Sequence, residues 1–459
     1  MSKIAKIIEN NPNKYILFLG RVTNFTDEEL RHFVEAEGMK YANSYQGEDP
    51  NTIGLLVLSS MLSPLEEQIS YDLYDAGVQD LSLGAFESYL TEQIKPNTLL
   101  MSLKLSNDQS RLRRLLQNEA FSNEVYLKLF KMFDWGGEGI YENDTNRDMT
   151  IAFVKRFYRP DGFRDPAMIY APTTVMNIAQ ESRDPLVLEA ILTMPNHTIK
   201  VSRYEQHRPK NLRETVAFNE AINRETVRRL MGYNDTQIDY FLAGNPAVSS
   251  QEQKILYRRA TPEVRLMLAH NPTLSDALFE ELLGSEDEVV QSLLRYQTIT
   301  PTRFEWIKEN PHLIYVGKNP EIGAVLDRLM ALHYEPLDRE LATNDGLLVE
   351  QLEILYSRYG NLIAKELALN PNTRAELLAE FYAQPSIEIL KALASNPQTP
   401  TEILEALCQR QDRALNPYLA ANPSVDIQYL RAFQLDPSLV RILANNPTYA
   451  NAVLQGLGL

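Results

Sequence analysis

Leu393-Ala394-Ser395-Asn396-Pro397 is a clear copy of a five-residue step that recurs along most of this chain. We call the residue at the Asn position the marker. Degenerate copies keep the frame, for example Tyr296-Gln297 and Met194-Pro195 in place of Asn-Pro. Markers fall 23 to 28 residues apart, and such a period indicates a repeat architecture. Their positions are 118, 143, 171, 194, 219, 245, 271, 296, 319, 344, 370, 396, 422 and 446.

The Asn-Pro step combines a stop signal and a start signal for helices. A residue before proline is pushed out of the α region, so a helix running through Leu-Ala-x has to end there. Asn is a favoured N-cap, and Pro is tolerated at the first helical position. We therefore predict that each marker caps the helix that follows it. The short period leaves room for one α-helix of two to three turns and one shorter helix, partly 3₁₀.

This step and its period resemble the leucine-rich repeat variant family over about residues 105–459. The resemblance implies a mostly α fold, a right-handed α-solenoid of ~25-residue repeats. The copies are weaker between 118 and 219, where HEAT-like or armadillo-like helices are an alternative. Ala stands two residues before most markers, which allows neighbouring helices to approach closely. We expect a connecting helix at 96–117 and the repeats at 118–459, each burying its apolar face against the next.

The first 95 residues lie outside this frame and are typical of a small α/β domain. Continuous apolar runs predict buried strands, and apolar residues at helical spacing predict helices between them. The resulting order is β-α-β-β-α-β-α, which favours a small sheet flanked by helices. The predicted strands are 15–19, 39–45, 53–58 and 78–81, and the predicted helices are 27–37, 64–74 and 84–90.

That order is similar to the BRCT domain over about residues 13–92. Many BRCT domains bind phosphopeptides with a Ser or Thr before the first glycine and a Lys at the start of the second helix. Here Leu19 precedes Gly20, and Glu66 lies near the start of that helix, where a carboxylate repels phosphate. The resemblance therefore implies the fold without phosphate recognition. Phe86 is the nearest counterpart of the family's buried Trp, and a different small α/β cap on the repeats is the alternative.

Composition limits the classes of function. The chain has 459 residues and a net charge of −16, which argues against non-specific nucleic-acid binding. We find no signal-peptide pattern and no run of 18 apolar residues, so we expect a cytoplasmic protein without a membrane span. The single cysteine, Cys408, lies among apolar helix positions and is predicted to be a buried thiol. No metal-ligand pair, phosphate-binding loop or nucleophile motif is present, so we expect no cofactor and no small-molecule substrate.

One region of the chain is basic: residues 200–265 hold 12 Lys and Arg against 8 Asp and Glu. Cations interleaved with aromatic residues are typical of surfaces that follow a nucleic-acid backbone. A solvated surface that balances acidic neighbours is the alternative. A further cluster of Arg111, Arg113 and Arg114 is interpreted as a solvated helix face. The candidate binding residues, which we call the basic strip, are Arg156, Arg159, Lys200, Arg203, Tyr204, His207, Arg208, Lys210, Arg213, Arg228, Arg229, Arg258, Arg259 and Arg265.

Three functions are compatible with this sequence. The first is a non-enzymatic scaffold that binds a partner protein or peptide on the concave face of the repeats, motivated by the long repeat array and the absence of catalytic motifs. The second is a protein of DNA repair or replication that binds nucleic acid through the basic strip. The third is a helical-repeat enzyme such as a DNA glycosylase. We favour the first hypothesis.

Overall fold

A computed structural model of the chain describes residues 3–22, 24–158, 172–198, 208–383 and 385–456. The fold is mostly α-helical, with a small α/β domain at the N-terminal end, in agreement with the sequence prediction. The chain divides into two compact units, Met1–Ile238 and Asp239–Leu459, and each is described by itself. None of the helices within the described ranges has both the length and the apolar character needed to span a bilayer.

The sheet of the first unit has four parallel strands in the order β2-β1-β3-β4. The central strands are almost wholly buried, which explains why they appear in the sequence as continuous apolar runs. The bounds predicted for β1 and β3 are confirmed, whereas the edge strands are shorter than predicted. The strands are β1 Tyr15–Leu19, β2 Lys40–Ala42, β3 Ile53–Leu58 and β4 Asp80–Ser82.

Four helices accompany this sheet, and the first of them was not predicted. The buried residues Ile4, Ile7 and Ile8 of α1 stand at helical spacing, so the signal for this helix is present in the sequence, although the helix is only eight residues long. Phe86 on α4 is fully buried and packs edge-on against Phe18 of β1, with ring centroids 5.2 Å apart. The helices are α1 Lys3–Asn10, α2 Asp27–Ala36, α3 Pro64–Asp75 and α4 Leu83–Gln93, with a 3₁₀ turn at Pro50–Thr52.

The rest of the first unit consists of short helices. Most begin at a Ser, Asp or Asn whose side chain accepts a hydrogen bond from the first turn, which is the expected N-cap arrangement. Their described bounds are Pro96–Ser106, Gln109–Gln117, Asn123–Phe130, Asp144–Phe157, Pro172–Glu181, Pro185–Ile191, Leu212–Phe218, Arg224–Met231 and Thr236–Gly244, the last of which crosses into the second unit.

The second unit alternates short helices that end at a marker with short helices that lie between markers. 3₁₀ segments occur at Leu313–Lys318, Gly323–Val325 and Gly360–Ile363. The α-helices are Ser250–Arg258, Pro262–Ala269, Asp276–Leu282, Asp287–Tyr296, Pro301–Ile307, Leu326–Met330, Glu335–Ala342, Val349–Tyr359, Ala364–Leu369, Ala375–Ala383, Ile387–Ser395, Thr401–Gln409, Asn416–Ala421, Ile427–Phe433, Val440–Ala444 and Pro447–Gly456.

Most copies of the Asn-Pro step end one helix without beginning the next. Asn370 is the C-cap of the helix Ala364–Leu369, and its side-chain oxygen accepts a hydrogen bond from the N–H of Asn372 at 2.9 Å. The next helix begins only at Ala375. The prediction that the marker caps the following helix is therefore wrong for this step, because Asn forms its own side-chain turn across the proline.

Two markers do cap the helix that follows them. The side-chain oxygen of Asn143 accepts a hydrogen bond from the N–H of Asn146 at 2.7 Å, at the start of the helix Asp144–Phe157. The last marker, Asn446, is followed directly by the helix Pro447–Gly456. At these two positions the sequence prediction is confirmed.

The buried side-chain amides of the markers join successive repeats of the second unit. The amide nitrogen of Asn370 donates hydrogen bonds to the carbonyls of Ala342 and Asn344, both at 2.9 Å. The carbonyl of Ala342 ends the preceding helix and has no partner inside it, so the amide satisfies it. The carbonyl of Asn344 also accepts a hydrogen bond from the N–H of Leu347 at 3.1 Å. We call this row the amide ladder. Its rungs are Asn271, Gln297, Asn319, Asn344, Asn370, Asn396, Asn422 and Asn446, all at most 7% exposed.

The ladder corrects two marker assignments. Gln297, not Tyr296, donates to the carbonyls of Ala269 and Asn271, each at 2.8 Å, because Gln carries the same amide as Asn. In the first unit, Asn219 donates to the carbonyl of Ala179, which lies 40 residues earlier. The marker before Asn219 is therefore not Met194, because the chain makes a longer connection at this point.

The core of the second unit is one continuous cluster of buried apolar side chains. Leu367, Leu393 and Leu419, three residues before their markers, are fully buried, as the sequence pattern predicts. Cys408 belongs to the same core, and burial raises the pKa of its thiol to about 11. The prediction of a buried thiol is confirmed.

Candidate functional site

The structure separates the basic strip into parts. Arg159, Lys200, Arg203, Tyr204 and His207 lie outside the described residues. The other members belong to two different units: Arg156, Arg208, Lys210, Arg213, Arg228 and Arg229 to the first, and Arg258, Arg259 and Arg265 to the second.

Arginines of the strip in the first unit hold the fold together. The guanidinium of Arg156 donates to Oδ1 of Asn123 at 2.8 Å and lies 4.6 Å from the centre of the Tyr126 ring. Arg229 donates to the carbonyl of Leu192 at 3.1 Å. These contacts direct both side chains toward neighbouring helices.

Arg213 stacks on Tyr233, with 3.9 Å between the guanidinium carbon and the ring centre. Arg208, Lys210 and Arg228 are exposed. The members of the strip in the first unit therefore range from exposed to partly buried.

Two of the three basic-strip residues in the second unit form ion pairs within that unit. Arg259 forms an ion pair with Asp239 at 2.5 Å, and Arg265 forms one with Glu286 at 2.6 Å. Arg258 is exposed. Two of these three cations are thus neutralised by carboxylates of their own unit.

The turn after β1 contains an internal carboxylate where the BRCT resemblance would place a phosphate. The backbone N–H of Gly20 donates to Oε1 of Glu66 at 3.0 Å. Ser63 donates to the same carboxylate through its hydroxyl and its N–H, both at 2.7 Å. These bonds lower the pKa of Glu66, so it is ionised at neutral pH. An incoming anion would compete with this charge.

The arginine cluster before the first marker is not a solvated helix face, which corrects the sequence interpretation. Arg111 and Arg114, on the helix Gln109–Gln117, are both partly buried. Nε of Arg111 lies 2.8 Å from Oε1 of Glu29 on α2, and a guanidinium nitrogen of Arg114 lies 4.0 Å from the other oxygen. The cluster therefore attaches the α/β domain to the helices that follow it.

A second attachment is buried. The amide nitrogen of Asn118, the first marker, donates to the hydroxyl of Thr91 on α4 at 2.8 Å. That hydroxyl in turn donates to the carbonyl of Glu87 at 2.7 Å. The hydroxyl of Thr91 thus accepts the hydrogen bond that a backbone carbonyl accepts in the amide ladder.

Between these two attachments lies an open cleft of about 750 Å³, inside the first unit. One wall comes from α4, the other from the helices Gln109–Gln117 and Asp144–Phe157, and the turn at the first marker joins them. The cleft is lined by Asn24, Gly84, Glu87, Ser88, Ser110, Arg113, Arg114, Gln117, Asn118, Glu119, Ala120, Thr145, Asp148 and Met149.

Glu87 is the buried carboxylate of this cleft. Its side chain accepts hydrogen bonds from the amide nitrogen of Asn24 at 2.6 Å and from the backbone N–H of Asn24 at 3.3 Å. Burial raises the pKa of Glu87 above its ordinary value, and the bonds from Asn24 offset part of that rise. The carboxylates of Glu119 and Asp148 are exposed to solvent.

The two arginines in the cleft differ in how they are held. Arg113 donates to the hydroxyl of Thr145 at 2.9 Å and to the carbonyl of Gln109 at 3.3 Å. Arg114 has only the 4.0 Å approach to Glu29, and its buried Nε has no hydrogen-bond partner within the described protein. Arg114 is also part of the cleft lining.

The lining offers hydrogen-bond donors and acceptors together. Arginine, glutamine and hydroxyl groups donate, whereas the carboxylates of Glu119 and Asp148 accept. Backbone N–H and C=O groups of an extended peptide need both kinds of partner. A purely anionic ligand would meet repulsion from the carboxylates.

Sequence reasoning did not find this cleft. Its residues come from segments far apart in the chain, from Asn24 to Met149, and each segment alone is typical of a helix surface. The one usable signal was the arginine cluster, where charged residues occupy positions next to the apolar face of an amphipathic helix.

No group of three His, Cys, Asp or Glu side chains arranged to hold a metal occurs in the part of the chain that the structure describes. Comparisons of this chain with protein-family models, with curated proteins and with solved structures give no match. Its function is therefore argued from the geometry alone.

Proposed function

We propose that this protein is a non-enzymatic interaction scaffold that binds an extended peptide segment of a partner protein. The observation that supports the proposal is the cleft between the α/β domain and the first helices, with hydrogen-bond donors and acceptors together in its lining. Its volume lies in the range of ordinary ligand sites. The Thr91–Asn118 bond joins its walls, and the Arg111–Glu29 ion pair ties one of them to α2, so little ordering is required on binding.

The contacts of the basic strip favour this role over nucleic-acid binding. Arg156, Arg229, Arg259 and Arg265 already donate to groups of the protein itself. A cation used in this way releases fewer counterions when it meets a phosphate backbone. The amide ladder supports a scaffold as well, because it fixes successive repeats to one another through buried bonds.

A steric block of the cleft tests the proposal. A Cβ at Gly84 would meet no atom within 4 Å, so Gly84→Leu adds a side chain to the cleft without strain. Gly323 in the second unit is equally open, and Gly323→Leu is the matched control. Peptides selected from a displayed random library on the full-length protein serve as probes, with affinity measured by fluorescence anisotropy.

We expect Gly84→Leu to weaken binding of the selected peptides about tenfold or more, while Gly323→Leu leaves it unchanged. Asp148→Lys should also weaken binding, because it removes an exposed acceptor from one wall. Selected peptides that bind both glycine variants equally well would overturn the proposal. A salt titration with duplex and single-stranded DNA tests the alternative, and tight binding lost in Arg258→Ala would favour it.

A further inference from the structure

The helix α3 exposes large apolar and aromatic side chains on the surface of the α/β domain. Tyr71 is 60% exposed, Tyr74 is 64% exposed and Leu65 is 71% exposed, while Met61 just before the helix is 76% exposed. The opposite side of the helix, with Leu73, is buried against the sheet. Tyr71 and Tyr74 lie three residues apart, so their rings are neighbours on the helix surface, whereas Leu65 lies on another side of the helix. Exposed apolar groups that adjoin one another mark an interaction site more often than isolated ones do.

Acidic side chains surround these residues. Glu67 and Asp75 lie four residues on either side of Tyr71, so all three share one face of the helix. Asp72 lies on the same exposed side, where it accepts a hydrogen bond from Gln68 at 2.8 Å. The face therefore combines two tyrosine rings with several carboxylates, and no Lys or Arg occurs between positions 41 and 94 of the chain.

The combination of tyrosine rings and carboxylates favours a positively charged binding partner. Tyrosine rings attract cations over their faces, and carboxylates form ion pairs with Lys and Arg. An anionic membrane surface or a nucleic acid would be repelled. A second copy of the same face would carry the same charge and would also be repelled.

We propose that the exposed face of α3, formed by Glu67, Tyr71, Tyr74 and Asp75, binds a Lys- and Arg-rich amphipathic segment of a partner protein. The apolar side chains of that segment pack on the tyrosine rings, and its cations lie over the rings and beside the carboxylates. This surface is independent of the cleft, because none of its residues lines the cleft.

A designed peptide tests this surface without knowledge of the natural partner. The probe is a fluorescein-labelled amphipathic peptide of lysine and leucine, and its counterpart has glutamate in place of lysine. Both are titrated against the full-length protein, the double variant Tyr71→Ser/Tyr74→Ser and the control Tyr296→Ser. Tyr296 is 54% exposed and lies in the second unit, so the control removes an equally accessible ring without altering the net charge.

The expected result is binding of the lysine peptide that weakens about tenfold in the double variant and is unchanged in the control. The glutamate peptide should not bind. Equal affinity for the wild type and the double variant would overturn the proposal, because it would reduce the interaction to general attraction by an acidic protein. Concentration-dependent self-association that is lost in the double variant would also overturn it, in favour of a second copy as occupant.

Discussion

The first marker and the later ones use the same amide in different surroundings. Asn370 donates to two backbone carbonyls of a repeat like its own, whereas Asn118 donates to one hydroxyl of the α/β domain. Both amides are buried. The comparison shows that the position of the amide is retained even where the preceding element is no longer a repeat, and that its partner is then a side chain.

The two kinds of attachment differ in which hydrogen-bond partner a substitution can remove. A carbonyl partner cannot be removed by changing a residue, so the ladder in the second unit depends on its amides alone. The hydroxyl of Thr91 can be removed, so the attachment of the α/β domain depends on two residues. The predictions that follow test this contrast, beginning with the largest expected effect.

Asn370→Ala should lower the free energy of unfolding of the second unit by about 3 kcal/mol, because it leaves the buried carbonyl of Ala342 without a partner and removes one of the two donors to the carbonyl of Asn344. Urea denaturation followed by circular dichroism measures the change. Asn372→Ala is the matched control. Asn372 also donates to two carbonyls of the preceding repeat, but it is only partly buried, so water replaces its bonds at a cost of about 1 kcal/mol. Equal losses in the two variants would contradict the ladder's role.

Gly317→Ala should lower the free energy of unfolding of the second unit by about 2 kcal/mol, because overpacking forces backbone shifts. An added Cβ would lie 2.5 Å from Cβ of Glu340 and 3.0 Å from the backbone nitrogen of Leu341. Ala fills the same position before Asn370 and Asn396 without difficulty, so the effect is specific to this one repeat. Thermal unfolding of Gly317→Ala is compared with that of Gly323→Ala, where the space is open and no loss is expected.

Thr91→Val should destabilise the attachment of the α/β domain by about 1 kcal/mol, because it keeps the shape of the side chain but removes the acceptor of Asn118. Thr91→Ser retains the hydroxyl and should restore most of the loss. Hydrogen exchange in the segment around the first marker measures the effect locally. Unchanged exchange in Thr91→Val would mean that the Arg111–Glu29 ion pair holds the domain by itself.

Sequence reasoning predicted the periodic parts of this molecule well. The apolar residue three positions before a marker is buried in every described repeat of the second unit, because that position faces the core each time. The exact bounds of β1 and β3 followed from uninterrupted apolar runs. These features depend on local patterns, which a single sequence contains.

The predictions that were wrong concern contacts between residues that are distant in the chain. The marker was interpreted as a helix cap because capping is a local property of Asn, whereas its bonds to a repeat about 26 residues earlier appear only in three dimensions. The cleft and the Arg111–Glu29 ion pair were missed for the same reason. The marker assigned to Tyr296 was wrong because Gln297 takes the place of Asn, with a longer side chain that reaches the same carbonyls.

The amide ladder also bears on how such a chain grows or shrinks during evolution. Asn396 and Asn422 each contact the marker 26 residues earlier and nothing further back in the ladder. Excision of the single block 371–396 would join Asn370 to Pro397 and present Asn422 with the same two backbone oxygens, now from Ala368 and Asn370. Loss or gain of whole blocks therefore preserves every rung. The rungs of Asn319 and Asn446, which reach markers 22 and 24 residues earlier, show that shorter blocks also present the amide with its oxygens.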